Sequence, residues 1–348
     1  MQANGPTARY RHLDEAMAIF DDSCLADDPG NIEVVRPVGR RRITHVVHDI
    51  DGTHSLIRDW PPVMSRVIHW AMTCGLEDDF DSPERAAALV ERVGKEPLPE
   101  TDEFCIETAG LSAITQMEYG IRRAVELRNV PAGAGLALTD EQRKANSEII
   151  RRIWHGEERF DHVDEPPELR AFVQQRAPRL FKLYERVLNK ASRDRNTAAA
   201  RAAPAKWRVP GSMEFIKHLH AVGCLNYFVT GAVIYEDGGM CEEVHALGFE
   251  TGPGRIIESL EGSSWDRKMP KDEVMRELCR REGLEPSRVL VIGDGRSEIK
   301  AGSEMGCVTM SRLPAEAARL RKLHKRLGTN YILPDFTSPV LKRLIRRE

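Results

Sequence analysis

Nowhere in the 348 residues does a run approach the roughly 18 consecutive apolar positions that a membrane-spanning helix requires. No membrane is therefore expected as a partner. The chain also lacks any CxxC pair. Its seven cysteines are scattered, and some, such as Cys307 in "MGCVTM", lie among apolar neighbours. They read as small buried hydrophobes in a reducing compartment. Neither sign of charge dominates, with 51 Lys and Arg against 54 Asp and Glu and a net charge of −3. That balance argues against nucleic acid as a partner. The opening "MQANGPTARYRHLDEAMAIF" has no basic leader feeding an apolar core, so a cytoplasmic location is expected. Internal repeats are missing as well.

What is present is an alternation. Strand-like apolar runs stand at "ITHVVH" (43–48), "CLNYFVT" (224–230), "RVLVIG" (288–293), "CVTM" (307–310) and "NYILP" (330–334). Helical stretches separate the later ones: "SMEFIKHLHAVG", "KDEVMRELCRREG" and "EIKAGSEMG". Short strands alternating with helices predict an α/β fold, a doubly wound parallel sheet covered on both faces. Residues 59–205 break the alternation. Their Glu, Arg, Ala and Leu recur at helical spacing, predicting a mostly helical insertion after the first strand. It returns through "SRDRNTAAARAAPAKWRVPG", read as a solvated connector or helix end because no aromatic platform is interleaved with its basic residues. Residues 1–40 form an N-terminal extension with a helical patch near "LDEAMAIF". Residues 41–58 and 206–348 make up the core.

The chemistry gathers where strands end. After "ITHVVH" come Asp49 and Asp51, two carboxylates that share a side if the chain is still extended. Like charges so placed raise one another's pKa unless a cation lies between them. Thr230 and Gly231 follow the second run, Lys271 opens the helix before "RVLVIG", and "GDGRSE" after that strand supplies Asp294 and Glu298. In parallel sheets the carboxyl ends of strands are where sites form. Each feature alone is weak, but their order along the chain is not.

The combination "DIDGT", "VTG", the Lys of "MPKDEV" and "GDGRSE" resembles the haloacid dehalogenase superfamily, over roughly residues 41–58 and 206–340. One position departs from its pattern, Glu298 standing where Asp is usual. The resemblance implies a Rossmann-like core with a helical cap and a Mg²⁺-dependent phosphomonoester hydrolase. Asp49 would be the nucleophile, giving an aspartyl-phosphate, and Asp51 the general acid and base. Thr230, Gly231 and Gly52 would hydrogen-bond the phosphoryl group, and Lys271 would neutralise it, with Lys268 competing for that role. Asp49, Asp294 and the Asp51 backbone carbonyl would bind Mg²⁺, and Glu298 would act through water or by orienting Lys271. Arg58 and Gln116 are candidates for contacting the rest of a small phosphorylated metabolite, a sugar or polyol phosphate by likeness to one subgroup. Thr115 and Met117 fit either a substrate-facing helix start or a core helix. His48 reads as a packed neighbour of the nucleophile.

Two other readings stay open. A sugar phosphomutase shares all four motifs, and a non-catalytic scaffold or regulatory protein could be built on the same fold. The extension and the basic tail segments "RLRKLHKRLG" and "LKRLIRRE" are candidates for mediating a homo-oligomer, or are solvated helix faces.

Overall fold

The computed structural model describes residues 18–57, 59–236, 238–265, 267 and 269–348. Ten strands occur among them: β1 (Ala18–Asp21), β2 (Glu33–Val34), β3 (Arg40–Ile43), β4 (His45–His48), β5 (Leu225–Val233), β6 (Ser259–Ser263), β7 (Val289–Gly293), β8 (Val308–Arg312), β9 (Tyr331–Leu333) and β10 (Ile345–Arg347). The main sheet runs β2-β9-β8-β7-β4-β5-β6. It is parallel throughout except for β2, which pairs antiparallel with β9 at one edge. Every residue of β4 and β7 is buried. That pattern is required of a central strand with helices on both faces, and "HVVH" and "VLVIG" meet it with β-branched side chains. The chain builds outward from β4 to β5 and β6, then crosses to β7, β8 and β9. The reversal of direction falls at β4, where a doubly wound sheet opens a crevice at its strand ends.

The expected run 43–48 is in fact two strands in two sheets. Ile43 pairs antiparallel with Ala18 in a small β10-β1-β3 sheet, whereas His45 pairs with Val289 and Leu225 in the main one. Thr44 joins them, its N–H donating to Arg288 O at 3.0 Å and its carbonyl accepting from Leu225 N at 3.0 Å. An apolar run gives no signal of such a switch, because both halves are buried. The helical patch expected near "LDEAMAIF" is also corrected where it is described. Ala18, Ile19 and Phe20 form β1, the need to pair with β3 and β10 overriding local helical spacing. Its residues 13–17 lie outside the described residues.

Between β4 and β5 stands the helical cap. Its helices include Trp60–Thr73, Pro99–Glu107, Ala113–Glu126, Asp140–Trp154 and Pro167–Leu188. They enclose an apolar cluster of their own around Val67, Phe104, Met117, Ile149 and Leu180. The return segment is not a plain connector. The long helix continues through a π-turn, Asn189–Arg193, into the helix Asp194–Ala202, with Arg193, Asn196, Thr197 and Ala200 buried. The alanines that made the segment look featureless are strong helix formers.

Burial disfavours the charged form of several histidines, His45 and His324 among them. His45 and His324 are 2% and 0% exposed, and desolvation takes each from an ordinary value of 6.5 to about 4. In the unfolded chain both would take up a proton below about pH 6.5. Their contribution is therefore complete above that pH and is lost as pH falls towards 4, at roughly 3 kcal/mol for each group. We expect the urea midpoint to hold steady from pH 8 to 7 and to drop between pH 6.5 and 4. A midpoint unchanged from pH 7 to 5 would contradict this account.

Candidate active site

Asp49 extends β4 by one residue, its N–H donating to Ile292 O of β7 at 2.8 Å. The chain then turns tightly about one carbonyl: Thr53, His54 and Ser55 all donate their N–H groups to Ile50 O at 2.8–3.1 Å. Gly52 makes the turn possible by adopting a left-handed conformation (φ 76°). Its carbonyl accepts from the buried Arg312 guanidinium at 3.0 Å, and its N–H donates to Ser55 O at 2.9 Å. The Gly52 amide is thus held within the loop.

Lys271, the first residue of the helix Lys271–Glu282, reaches the end of β4. Its Nζ donates to Asp49 Oδ1 at 2.5 Å and to Glu298 Oε2 at 3.2 Å, and all three side chains are at most 6% exposed. Burial works against the ammonium, but the two carboxylates outweigh it and hold Lys271 protonated far above neutral pH. Asp49 shows the opposing pulls directly: burial raises its carboxyl above the usual range, and Lys271 offsets only part of that. Thr53 Oγ1 donates to Asp49 Oδ2 at 3.1 Å and lies 3.5 Å from Asp294 Oδ1.

Glu298 sits one turn into the helix Arg296–Met305. Gly295 N–H donates to its Oε1 at 2.5 Å. A Cβ at Gly293 would overlap this carboxylate, so the glycines of "GDG" make room for a side chain one methylene longer than Asp. Oxygens of Asp49, Asp294 and Glu298 all fall within 4.8 Å of one another. Three hard, anionic oxygen donors at that spacing suit a divalent cation such as Mg²⁺. The fit is best for Asp49 and Asp294, since Glu298 already accepts from Gly295 and Lys271. The Asp51 carboxyl is not in this group.

Asp49, Asp51, Thr230, Gly231, Lys271, Asp294 and Gln116 line one cavity of about 890 Å³ between the strand ends and the cap. Thr230 Oγ1 accepts from Ala232 N–H at 3.1 Å, which leaves its own proton available to donate. At Gly231 a Cβ would come within 3.1 Å of Leu111 O, so this glycine lets the cap approach. Gln116 is buried, and its amide donates to Thr108 Oγ1 at 3.0 Å. Thr115 and Met117 are fully buried. Arg58 and Lys268 lie outside the described residues. His48 is buried in a chain of hydrogen bonds from Asn226 Oδ1 (3.1 Å) through His54 Nε2 (2.9 Å) to Ser212 Oγ (2.7 Å).

Asp51 stands in different surroundings from Asp49. Burial pushes its carboxyl well above the usual range, with Glu243 and then Asp49 adding to the effect. Glu243, from the helix Gly239–Ala246, is 3% exposed and accepts from Ser55 Oγ at 2.9 Å. Neither Glu243 nor Arg193 was singled out from sequence. Glu243 sits in "MCEEVHAL", an ordinary amphipathic pattern, and Arg193 in what read as a connector.

The "GDGRSE" motif also grips the cap. Arg296 donates to Glu107 O at 3.1 Å and Ser297 to Gly110 O at 2.6 Å.

No protein-family model matches the chain, and no curated protein matches it. Among solved structures it is similar to a hydrolase from Pseudomonas syringae, at 15% identity over 86% of this chain and 97% of that one, with a TM-score of 0.42. A HAD family hydrolase from Deinococcus radiodurans with bound phosphate and sodium gives 15% identity, 84% and 90% coverage, and 0.35. A beta-phosphoglucomutase from Clostridium difficile gives 10%, 84% and 92%, and 0.39. Likenesses this distant carry no weight for function, which is argued below from residues and geometry.

Lys271→Met tests the buried ion cluster. Removing the cation leaves Asp49 and Glu298 buried without compensation, and one-sided loss of such a pair costs about 3–5 kcal/mol. Denaturant unfolding at pH 7 is expected to register a loss of that size. Part of it should return towards pH 5, as the orphaned carboxylates take up protons. A loss below about 1 kcal/mol would mean that the cluster is solvated.

Proposed function

We propose that the chain is a phosphomonoester hydrolase of the haloacid dehalogenase kind, acting through an aspartyl-phosphate. The observation that carries this reading is the different surroundings of two carboxylates in one loop. Asp49 is oriented by Lys271 and Thr53, whose donors offset part of its burial, while burial beside Glu243 pushes Asp51 well above the usual carboxylate range. One is suited to attack and the other to give up a proton.

In the first half-reaction an Asp49 oxygen forms a bond to phosphorus as the bond from phosphorus to the ester oxygen breaks. The departing alkoxide takes the Asp51 proton. In the second, water attacks the aspartyl-phosphate, Asp51 takes the proton back, and Asp49 is released with inorganic phosphate. Lys271 holds positive charge beside the phosphoryl oxygens, and the Thr230 hydroxyl donates to them. A Mg²⁺ held by Asp49 and Asp294, with the Asp51 backbone carbonyl by resemblance, would supply further charge neutralisation. Glu298 orients Lys271. The cap closes the cavity against bulk water and lines the space left for the alcohol.

A small phosphorylated metabolite is the substrate class that this cavity supports. The test is phosphate release in the presence of Mg²⁺ from acetyl phosphate and from sugar, polyol and nucleotide monophosphates. Asp49→Asn is expected to abolish turnover, and chelator to reduce it at least 100-fold. Asp51→Asn should lower kcat by 10²- to 10⁴-fold, the usual worth of a general acid. Full activity in Asp49→Asn would remove the aspartyl-phosphate mechanism.

A further inference from the structure

Beyond the phosphoryl site, the cavity has a polar end that none of the four motifs supplies. It is built by the π-turn of the long cap helix. A π-turn interrupts the regular hydrogen-bond ladder and is frequently found at functional sites. Here it puts Ser192 and Arg193 on the cavity wall. Arg193 is 8% exposed, and its Nη1 donates to Glu185 Oε2 at 2.5 Å and to Asn189 Oδ1 at 2.8 Å. Facing them from the core side is Glu243, 3% exposed and on the same wall. Ser55 Oγ donates to its Oε1 at 2.9 Å, which leaves Oε2 as the acceptor it can offer to the cavity.

A carboxylate oxygen that lines a cavity can accept from a donor that enters it. The charges narrow what that donor is. Two carboxylates stand against one guanidinium, so no net positive charge remains for a second phosphate or a carboxylate on the substrate. Hydroxyl groups fit instead, because each can donate to Glu243 or Glu185 and accept from the free guanidinium N–H groups. The cluster lies next to Asp51, linked to it through Ser55, which bridges to Asp51 and donates to Glu243. In the proposed reaction that is the leaving-group side of the phosphoryl pocket.

We propose that Glu243, Arg193 and Glu185 form the leaving-group subsite, and that it takes a neutral, polyhydroxylated alcohol. This rests on the hydrolase reading, which places the alcohol beside Asp51. The subsite sets specificity by differential hydrogen bonding. A substrate lacking the hydroxyls would leave buried polar groups unpaired, a discrimination that an apolar pocket does not achieve.

Binding separates this inference from the chemistry. Asp49→Asn would be titrated calorimetrically, with Mg²⁺ present, using glycerol, pentitol and hexitol monophosphates and alkyl monophosphates of matched chain length. At least one hydroxylated ester is expected to bind ten-fold or more tightly than its alkyl counterpart. Adding Glu243→Gln, or separately Arg193→Lys, should collapse that ratio to within about three-fold, with folding of each variant checked by thermal melting. Two variants on different elements guard against misfolding of either one. The inference is overturned if alkyl and hydroxylated esters bind alike, or if the ratio survives both substitutions. Acetyl phosphate turnover by the wild type is read in parallel. Its absence would sink the hydrolase reading while leaving the binding ratio to decide the subsite.

Discussion

The structure depends on one buried cation. Lys271 stands between Asp49 and Glu298 at the carboxyl end of the central strand, and all three are nearly inaccessible to water. Neither carboxylate would stay ionised there alone, since burial raises the pKa of an acid and nothing else nearby compensates so closely. The ammonium is equally dependent on them. The cluster ties three elements that are remote in sequence: the loop after β4, the helix before β7 and the helix after it. Buried ion clusters are poor sources of net stability but demanding of geometry. This one fixes the direction of the Asp49 carboxylate to within the reach of a hydrogen bond.

The cap is joined to that centre by the same short motif. "GDGRSE" supplies Asp294 and Glu298 to the site, and its two middle side chains reach outward, Arg296 to the carbonyl of Glu107 and Ser297 to that of Gly110. Those carbonyls close the helix Pro99–Glu107 and the turn after it, where unpaired carbonyl groups carry partial negative charge and welcome a cation. Closure of the cap and placement of the acids therefore share a loop. Exclusion of water strengthens every electrostatic contact within, including the one between Lys271 and Asp49.

The inner strands β4, β5, β7, β8 and β9 were legible because they are mostly buried and read as apolar runs, whereas the edge strands β2 and β6 are less buried and left no such run. Lys271, Asp49, Asp294 and Glu298 were legible because parallel topology brings strand ends together however far apart they lie in sequence. The longer Glu298 looked like a weakness, yet Gly293 and Gly295 leave it the space it needs, a relation that spacing alone does not reveal. The division of 43–48 between two sheets was hidden, since pairing partners leave no local trace. Arg193 was hidden for a different reason. A π-turn has no sequence signature, and an Ala- and Arg-rich stretch reads the same whether its arginines face solvent or a cavity. What the cap contributes depends on tertiary packing, which is also why the proposed leaving-group subsite was the least readable feature.

Why two aspartates stand two residues apart at the end of β4 follows from their surroundings rather than from their spacing. In an unbroken strand they would point the same way and share one environment, each raising the other's pKa. The turn about Ile50 O separates them instead. Asp49 stays in line with β4 under Lys271, Thr53 and Asp294, while Asp51 moves beside Ser55 and faces Glu243 and the cap. Asp49 has the Lys271 ammonium against it among its neighbouring carboxylates, whereas the strongest charged neighbour of Asp51 is another carboxylate. Two identical side chains are given different surroundings, and Gly52 in a left-handed conformation makes the turn that divides them. Glu243 then has two effects at once. Its charge adds to the effect of burial on Asp51, and in the proposed reaction its carboxylate, on the cavity wall, would meet the departing alcohol, so that the group tuning the acid would also meet the molecule to which the acid gives its proton.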